Sequence, residues 1–233
     1  MLGENHRLEF RQLSAALSLL GAGGVEAVFY SYVGLPEGGM STRRGWIVTM
    51  DDLVDEAVAR ALEEVRKRRP DLPEDRMREI AETVGVAALR YNILRVQAEK
   101  KITFRWEEAL NFEGNSAPFL QYAHARACGI LDKAGAFEPG DPALLAHPQE
   151  QALARLLAKF PSTVLAAADA RRPHVLATYT YDVAARFNLF YRDCPVLTAE
   201  PALRDARLGL ADAARIVLRN GLDCLGLPAP REM

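Results

Sequence analysis

The chain has 233 residues, 49% hydrophobic and 26% charged, which is enough for one large or two small cores and unlike a disordered segment. With 29 basic against 31 acidic residues the formal charge is −2, so no global positive field draws nucleic acid in, and any such contact has to be local. No run approaches the roughly 18 uncharged apolar residues of a membrane span, and Met1-Leu2-Gly3-Glu4-Asn5-His6 lacks the basic-then-apolar build of a signal peptide. A cytoplasmic protein with no membrane partner is expected. Cys128, Cys194 and Cys224 are odd in number and far apart, which fits neither a disulfide framework nor a zinc site, and all three are expected to be buried thiols.

From Glu4 to Leu20, Phe10, Leu13, Leu17 and Leu20 recur at helical spacing, and Gly21, Gly23 and Gly24 supply a stop. Val25 to Val33, rich in Val, Phe and Tyr, reads as a strand, followed by a loop with Pro36, Gly38 and Gly39 and a short β-like piece from Trp46 to Met50. Two short strands cannot form a doubly wound sheet by themselves, so this is a small α/β unit. Thr49 with Asp52 three residues on predicts the cap of a helix running to the Pro70–Pro73 break, and a second helix is predicted from about Glu74 to Gln97. Ile102-Thr103-Phe104 is a brief extended segment. Four or five helices follow Pro118, with Phe137–Pro148 as the long loop among them. Two of these helices show apolar stripes, Leu176, Tyr179, Val183, Phe187, Phe190 and then Leu203, Leu210, Val217, with Asn220-Gly221 as a left-handed stop. The basic run Arg66-Lys67-Arg68-Arg69 admits two readings, a phosphate contact or a solvated helix end that complements the dipole.

Three segments carry a family resemblance. They are Gly39-Met40-Ser41-Thr42-Arg43-Arg44-Gly45, the stretch Asn111-Phe112-Glu113-Gly114-Asn115-Ser116-Ala117-Pro118-Phe119-Leu120-Gln121-Tyr122-Ala123-His124-Ala125-Arg126, and the ending Asn220-Gly221-Leu222 through Pro230-Arg231-Glu232-Met233. In that order they resemble the C-terminal part of an arginyl-tRNA synthetase, across essentially the whole chain. The resemblance implies a mainly α fold. A small α/β remnant of a Rossmann-type catalytic domain and a helical stem would occupy residues 1–112, and an all-α anticodon-binding bundle residues 113–233.

The resemblance also implies site residues and partners. Met40, Ser41, Thr42, Arg43 and Arg44 correspond to the loop that closes over ATP, which would bring Mg²⁺ as a substrate pair rather than a tightly bound cofactor. Gly39 stands where the usual arginyl form has lysine. His6 falls in a segment that lines the arginine pocket, although an exposed helix-terminal histidine is the plainer reading. Phe119, Tyr122, Arg126, Tyr191 and Met233 correspond to the tRNA-binding pocket, the partner being the arginine isoacceptors and not DNA. Single-stranded bases stack on aromatic faces and guanidinium planes, and positions 119, 122 and 126 share one helix face. Core packing is the competing role for Phe119 and Tyr122.

The histidines His6, His124, His147 and His174 do not form the His-(apolar)-Gly-His signature of these ligases, and no P-loop, catalytic triad or metal site is legible. No catalytic residue is therefore assigned, and the chain alone is expected to be inactive, with an N-terminal catalytic half as an implied partner. A stand-alone tRNA-binding module and a helical protein-interaction domain are the alternatives.

Overall fold

The computed structural model describes residues 1–34, 36 and 49–233. The signature-like loop at 40–44 and most of the β-like piece from Trp46 lie outside the described residues.

At the N-terminus, strand β1 (Leu2–Gly3) leads through a 3-10 turn into helix α1 (Arg7–Leu19). The predicted strand Val25–Val33 is two pieces instead, β2 (Phe29–Tyr30) and β3 (Val33–Gly34). β2 pairs in parallel with β1, and β3 pairs in parallel with β4 (Ile102–Thr103). The run is divided because its middle and its C-terminal end serve different neighbours; between them the Ser31 amide donates to the Ala98 carbonyl at 2.7 Å. No residue of α1 is buried, and Leu13 and Leu20 from its predicted stripe are 52% and 80% exposed. Of the stripe, Phe10 packs edge-on against Phe29 of β2, ring centroids 5.6 Å apart, while Leu13 and Leu20 have no burying partner among the described residues.

Helix α2 (Met50–Arg68) starts as its sequence predicts, with Thr49 Oγ1 accepting from the Asp52 amide at 3.1 Å and Asp52 returning a bond to the Thr49 backbone. It packs along α3 (Glu74–Leu94) through small residues: Ala57, Ala61, Ala81 and Ala88 are all buried. The approach is closest at Gly85, where a Cβ would sit 2.9 Å from the Ala57 backbone. α3 ends three residues before the expected Gln97. The short helix α4 (Trp106–Ala109) then leads to the second half.

That half contains α5 (Ala117–Ala134), α6 (Pro148–Leu157), α7 (Phe160–Asp169), α8 (Pro173–Asp193) and α9 (Pro201–Cys224). Its core gathers Leu120, Leu153, Phe187, Phe190, Leu208, Leu218 and Leu222, all fully buried, and Tyr91 of α3 joins them. The predicted α8 stripe, Leu176 to Phe190, is buried throughout. In α9 the stripe is shifted: Leu210 is buried, but Leu203 and Val217 are only half-buried, while Ala206, Ala211, Ala214, Leu218 and Leu222 form the inner face. α9 lies against both α5 and α8, so its buried face is broader than one stripe.

Two further expectations are corrected. Asn220-Gly221 does not stop α9, which continues to Cys224; Gly221 is buried against Thr180, whose Oγ1 would lie 2.7 Å from an added Cβ. The left-handed residue is Gly226, at φ 66°, with its amide on the Asp223 carbonyl and the Leu227 amide on the Leu222 carbonyl, both 2.9 Å. These bonds make a Schellman cap. Cys128 and Cys194 are buried, but Cys224, on the last turn of α9, is exposed.

One buried ion pair ties this half together. Glu150 is 1% exposed; its Oε1 takes Arg207 Nε at 2.6 Å and its Oε2 takes the His147 amide at 2.8 Å. The same Arg207 donates through Nη1 to the Pro195 carbonyl at 2.7 Å, joining α6 and α9 to the segment after α8.

Candidate nucleic-acid interface

The turn before α5 is fixed from several sides. Asn111 Oδ1 accepts the Glu113 amide at 2.9 Å, Ser116 Oγ donates to the Asn111 carbonyl and accepts the Phe119 amide at 3.4 Å, and the buried Tyr91 hydroxyl lies 2.6 Å from Asn115 Oδ1. Burial pushes the Tyr91 phenol well above its ordinary range, so it stays a neutral hydrogen-bonding group. Pro118 sits in the first turn of the helix, where its missing amide costs nothing.

Three candidate residues therefore emerge on one face of α5. Phe119 is half-buried and leans on Tyr181, ring centroids 5.4 Å apart, so part of its surface belongs to the core. Tyr122 is 42% exposed. Arg126 turns its guanidinium between two rings, 4.5 Å from the Tyr122 centroid and 4.9 Å from that of Tyr191, which stands on the last turn of α8 and is 45% exposed. Arg126 Nη1 donates to Asn188 Oδ1 at 2.6 Å, and no ion pair to Arg126 is present among the described residues. An arginine held by two π-faces and an amide is pre-organised for a planar or anionic partner.

Met233 reaches the same place along the C-terminal tail. Leu225 and Leu227 are buried, Gln121 Nε2 donates to the Pro228 carbonyl at 3.0 Å, and His124 Nδ1 is 2.8 Å from the Pro230 carbonyl. That contact assigns the proton to Nδ1, and burial holds the His124 imidazole below its usual range, in the neutral form. Beyond it Arg231 pairs with Asp132 at 2.7 Å, Glu232 with Arg76 at 2.6 Å, and Arg69 Nη1 donates to the Met233 carbonyl at 2.7 Å.

Tyr122, Arg126 and Met233 form the shared wall of two adjoining open clefts. The larger, about 810 Å³, also takes in Phe119, Asn188, Phe112, Glu113, Arg68 and Arg69. The smaller, about 560 Å³, includes Tyr191 and Leu197. All five candidate residues of the helical half are thus brought together, though around two clefts instead of one pocket. Asn188 was not identified from the sequence; its place three residues before Tyr191 on α8 was the available signal. In the basic run, Arg66 pairs with Glu74, Lys67 and Arg68 with Glu64, and Arg69 with Asp71. His6 is apart from these in the N-terminal unit, exposed in the 3-10 turn before α1 with no capping bond. Among the described residues no group of three or more His, Cys, Asp or Glu is arranged to hold a metal ion, and no helix is long and apolar enough to cross a membrane.

Comparison with known proteins gives the class. Residues 23–106 match the model of the class I (R) tRNA synthetase catalytic domain, and residues 120–233 that of the DALR anticodon binding domain. This is the junction of a class I synthetase catalytic fold with a helical anticodon-binding fold. All of the chain aligns with the arginine–tRNA ligases of Haloarcula marismortui and Methanocella arvoryzae, at 51% identity in each case, covering 42% and 41% of those proteins. The Thermus thermophilus arginyl-tRNA synthetase structure superposes on the whole chain with a TM-score of 0.91 at 39% identity, over 40% of its own length. The chain belongs to the arginyl-tRNA synthetase family and spans about two fifths of the length of these relatives.

Proposed function

We propose that this chain is the part of an arginine–tRNA ligase that grips the anticodon region of arginine tRNAs, with Phe119, Tyr122, Arg126, Tyr191 and Met233 as the residues that hold unstacked bases. In this reading residues 113–233 are the binding domain and residues 1–112 the end of the catalytic domain with its stem. The observation that carries it is Arg126, a cation stacked between two half-exposed tyrosines with no carboxylate partner among the described residues. Aromatic and guanidinium planes hold single-stranded bases, each worth about 1–3 kcal/mol. The complete ligase would activate arginine with ATP and Mg²⁺ in the cytoplasm and transfer it to tRNA. There Met40, Ser41, Thr42, Arg43 and Arg44 would contribute the ATP loop, and His6 a contact to arginine.

Titration of the chain with an arginine tRNA at fixed salt tests the binding reading. Arg126→Gln and Tyr191→Ala are each expected to weaken binding about 5- to 150-fold with helical content unchanged by circular dichroism. Parent-like affinity in both variants would return these residues to a packing role.

A further inference from the structure

The larger cleft is also lined by residues from a different half of the chain than Tyr122, Arg126 and Met233. At the end of α2, the Arg68 guanidinium lies over the Phe112 ring with its carbon 4.3 Å from the centroid. Phe112 is half-buried, packed on its inner side against the cluster of Val65, Met77, Ile80 and Val84. Arg69 stands beside the stack. The cleft lining carries Arg68, Arg69 and Arg126, the carboxylate of Glu113 and three aromatic rings, Phe112, Phe119 and Tyr122; Arg69 is itself engaged by Asp71 at 3.2 Å and by the Met233 backbone oxygen at 2.7 Å. Arg68 also meets Glu64 at 3.1 Å, but its side chain is 45% exposed, and exposed pairs of this kind are weak enough to yield to a better partner. A stacked guanidinium at the edge of a cleft, with a second arginine next to it, offers a plane for a base and charge for its phosphate.

Resting on the tRNA-binding reading above, we propose that the Arg68–Phe112 stack is a second nucleotide platform. It would take one unstacked nucleotide next to the one held at Tyr122, Arg126 and Tyr191, in the same single-stranded segment of RNA. The two clefts share a wall, so adjacent nucleotides of one strand can occupy them without leaving the surface. Arg68 contributes both a stacking plane and a phosphate contact, while Phe112 orients it.

Three variants, each titrated with an arginine tRNA over a series of salt concentrations, separate these roles. Arg68→Gln is expected to weaken binding at least 5-fold and to reduce the slope of log K against log salt by about 0.7, the value for one contact to a single strand. Arg68→Lys keeps the charge and should leave the slope as in the parent, yet still lose at least 5-fold because an ammonium offers no plane. Phe112→Leu fills the inner contact and should lose affinity with the slope unchanged; should it fail to fold, the exposed Arg68→Lys decides. Tyr122→Ala serves as the reference for the parent reading. If Tyr122→Ala weakens binding while both Arg68 variants bind like the parent, the second platform is refuted and the first reading stands. If Tyr122→Ala is also without effect, both fall together.

Discussion

Replacing Glu150 with alanine leaves Arg207 with no carboxylate while its side chain remains only 12% exposed. The change also deletes the bond to the His147 amide, which is one of the unpaired donors at the start of α6. Removing one partner of a buried pair typically costs about 3–5 kcal/mol, because the remaining charge stays buried without compensation. For a domain of this size that is a fall in the melting midpoint of about 6–20 °C. The damage is expected to reach the interface. Arg207 also holds the Pro195 carbonyl, and the segment after it supplies the buried Val196 and the cleft residue Leu197, beside Tyr191. Glu150→Ala should therefore weaken tRNA binding at temperatures where it is still folded. The double variant Glu150→Leu with Arg207→Met removes both charges and should recover most of the stability, the signature of a coupled pair. Differential scanning calorimetry settles the matter: a single-variant midpoint within about 2 °C of the parent would show that Arg207 finds other solvation, and the reasoning would fail.

Gly221→Ala raises helix propensity and on that ground alone would stabilise α9 by about 1 kcal/mol; the added Cβ at 2.7 Å from Thr180 Oγ1 and 3.1 Å from its Cγ2 reverses the sign, and a loss of about 1–3 kcal/mol is expected in urea titration. Adding Thr180→Ala in that background should restore stability, and failure to do so would place the strain elsewhere. His124 makes stability depend on pH. Its folded pKa is depressed, first by burial and then by the nearby Arg215, Arg219 and Arg231, against the opposing bond to Pro230. The unfolded chain therefore binds the proton more readily, so the contribution is complete above about 6.5 and is lost as pH falls from there through the folded value. Urea midpoints between pH 7.5 and 5.5 should fall more in the parent than in His124→Asn, which keeps a donor for the Pro230 carbonyl but cannot titrate; equal falls would exclude His124 as the source.

What could be read from the sequence was what is decided locally. The Thr49–Asp52 cap and the α8 stripe depend on residues within one or two turns, and both are present in the structure. The shared face of Phe119, Tyr122 and Arg126 is likewise a matter of helical spacing, whereas Tyr191 and Met233 joined the candidate set only through the family resemblance. The failures are places where a distant partner decides. Val25–Val33 has the composition of one strand, but β1 claims its middle and β4 its C-terminal end. Asn220-Gly221 has the composition of a helix stop, yet Gly221 is there to let Thr180 approach, and the cap falls at Gly226. Arg68 and Phe112 are 44 residues apart, and no local pattern couples them.

The crossing of α2 on α3 at Ala57 and Gly85 makes α2 a shaft. Over 19 residues it is about 28 Å long, and with small side chains seated along one side it has no room to bend or roll independently of α3. One end carries Arg68 and Arg69 at the edge of the larger cleft; the other begins at Thr49, five residues after the signature-like loop ends at Arg44. A displacement imposed on the arginine end therefore carries α3 with it, since the two helices close on each other at Ala57 and Gly85.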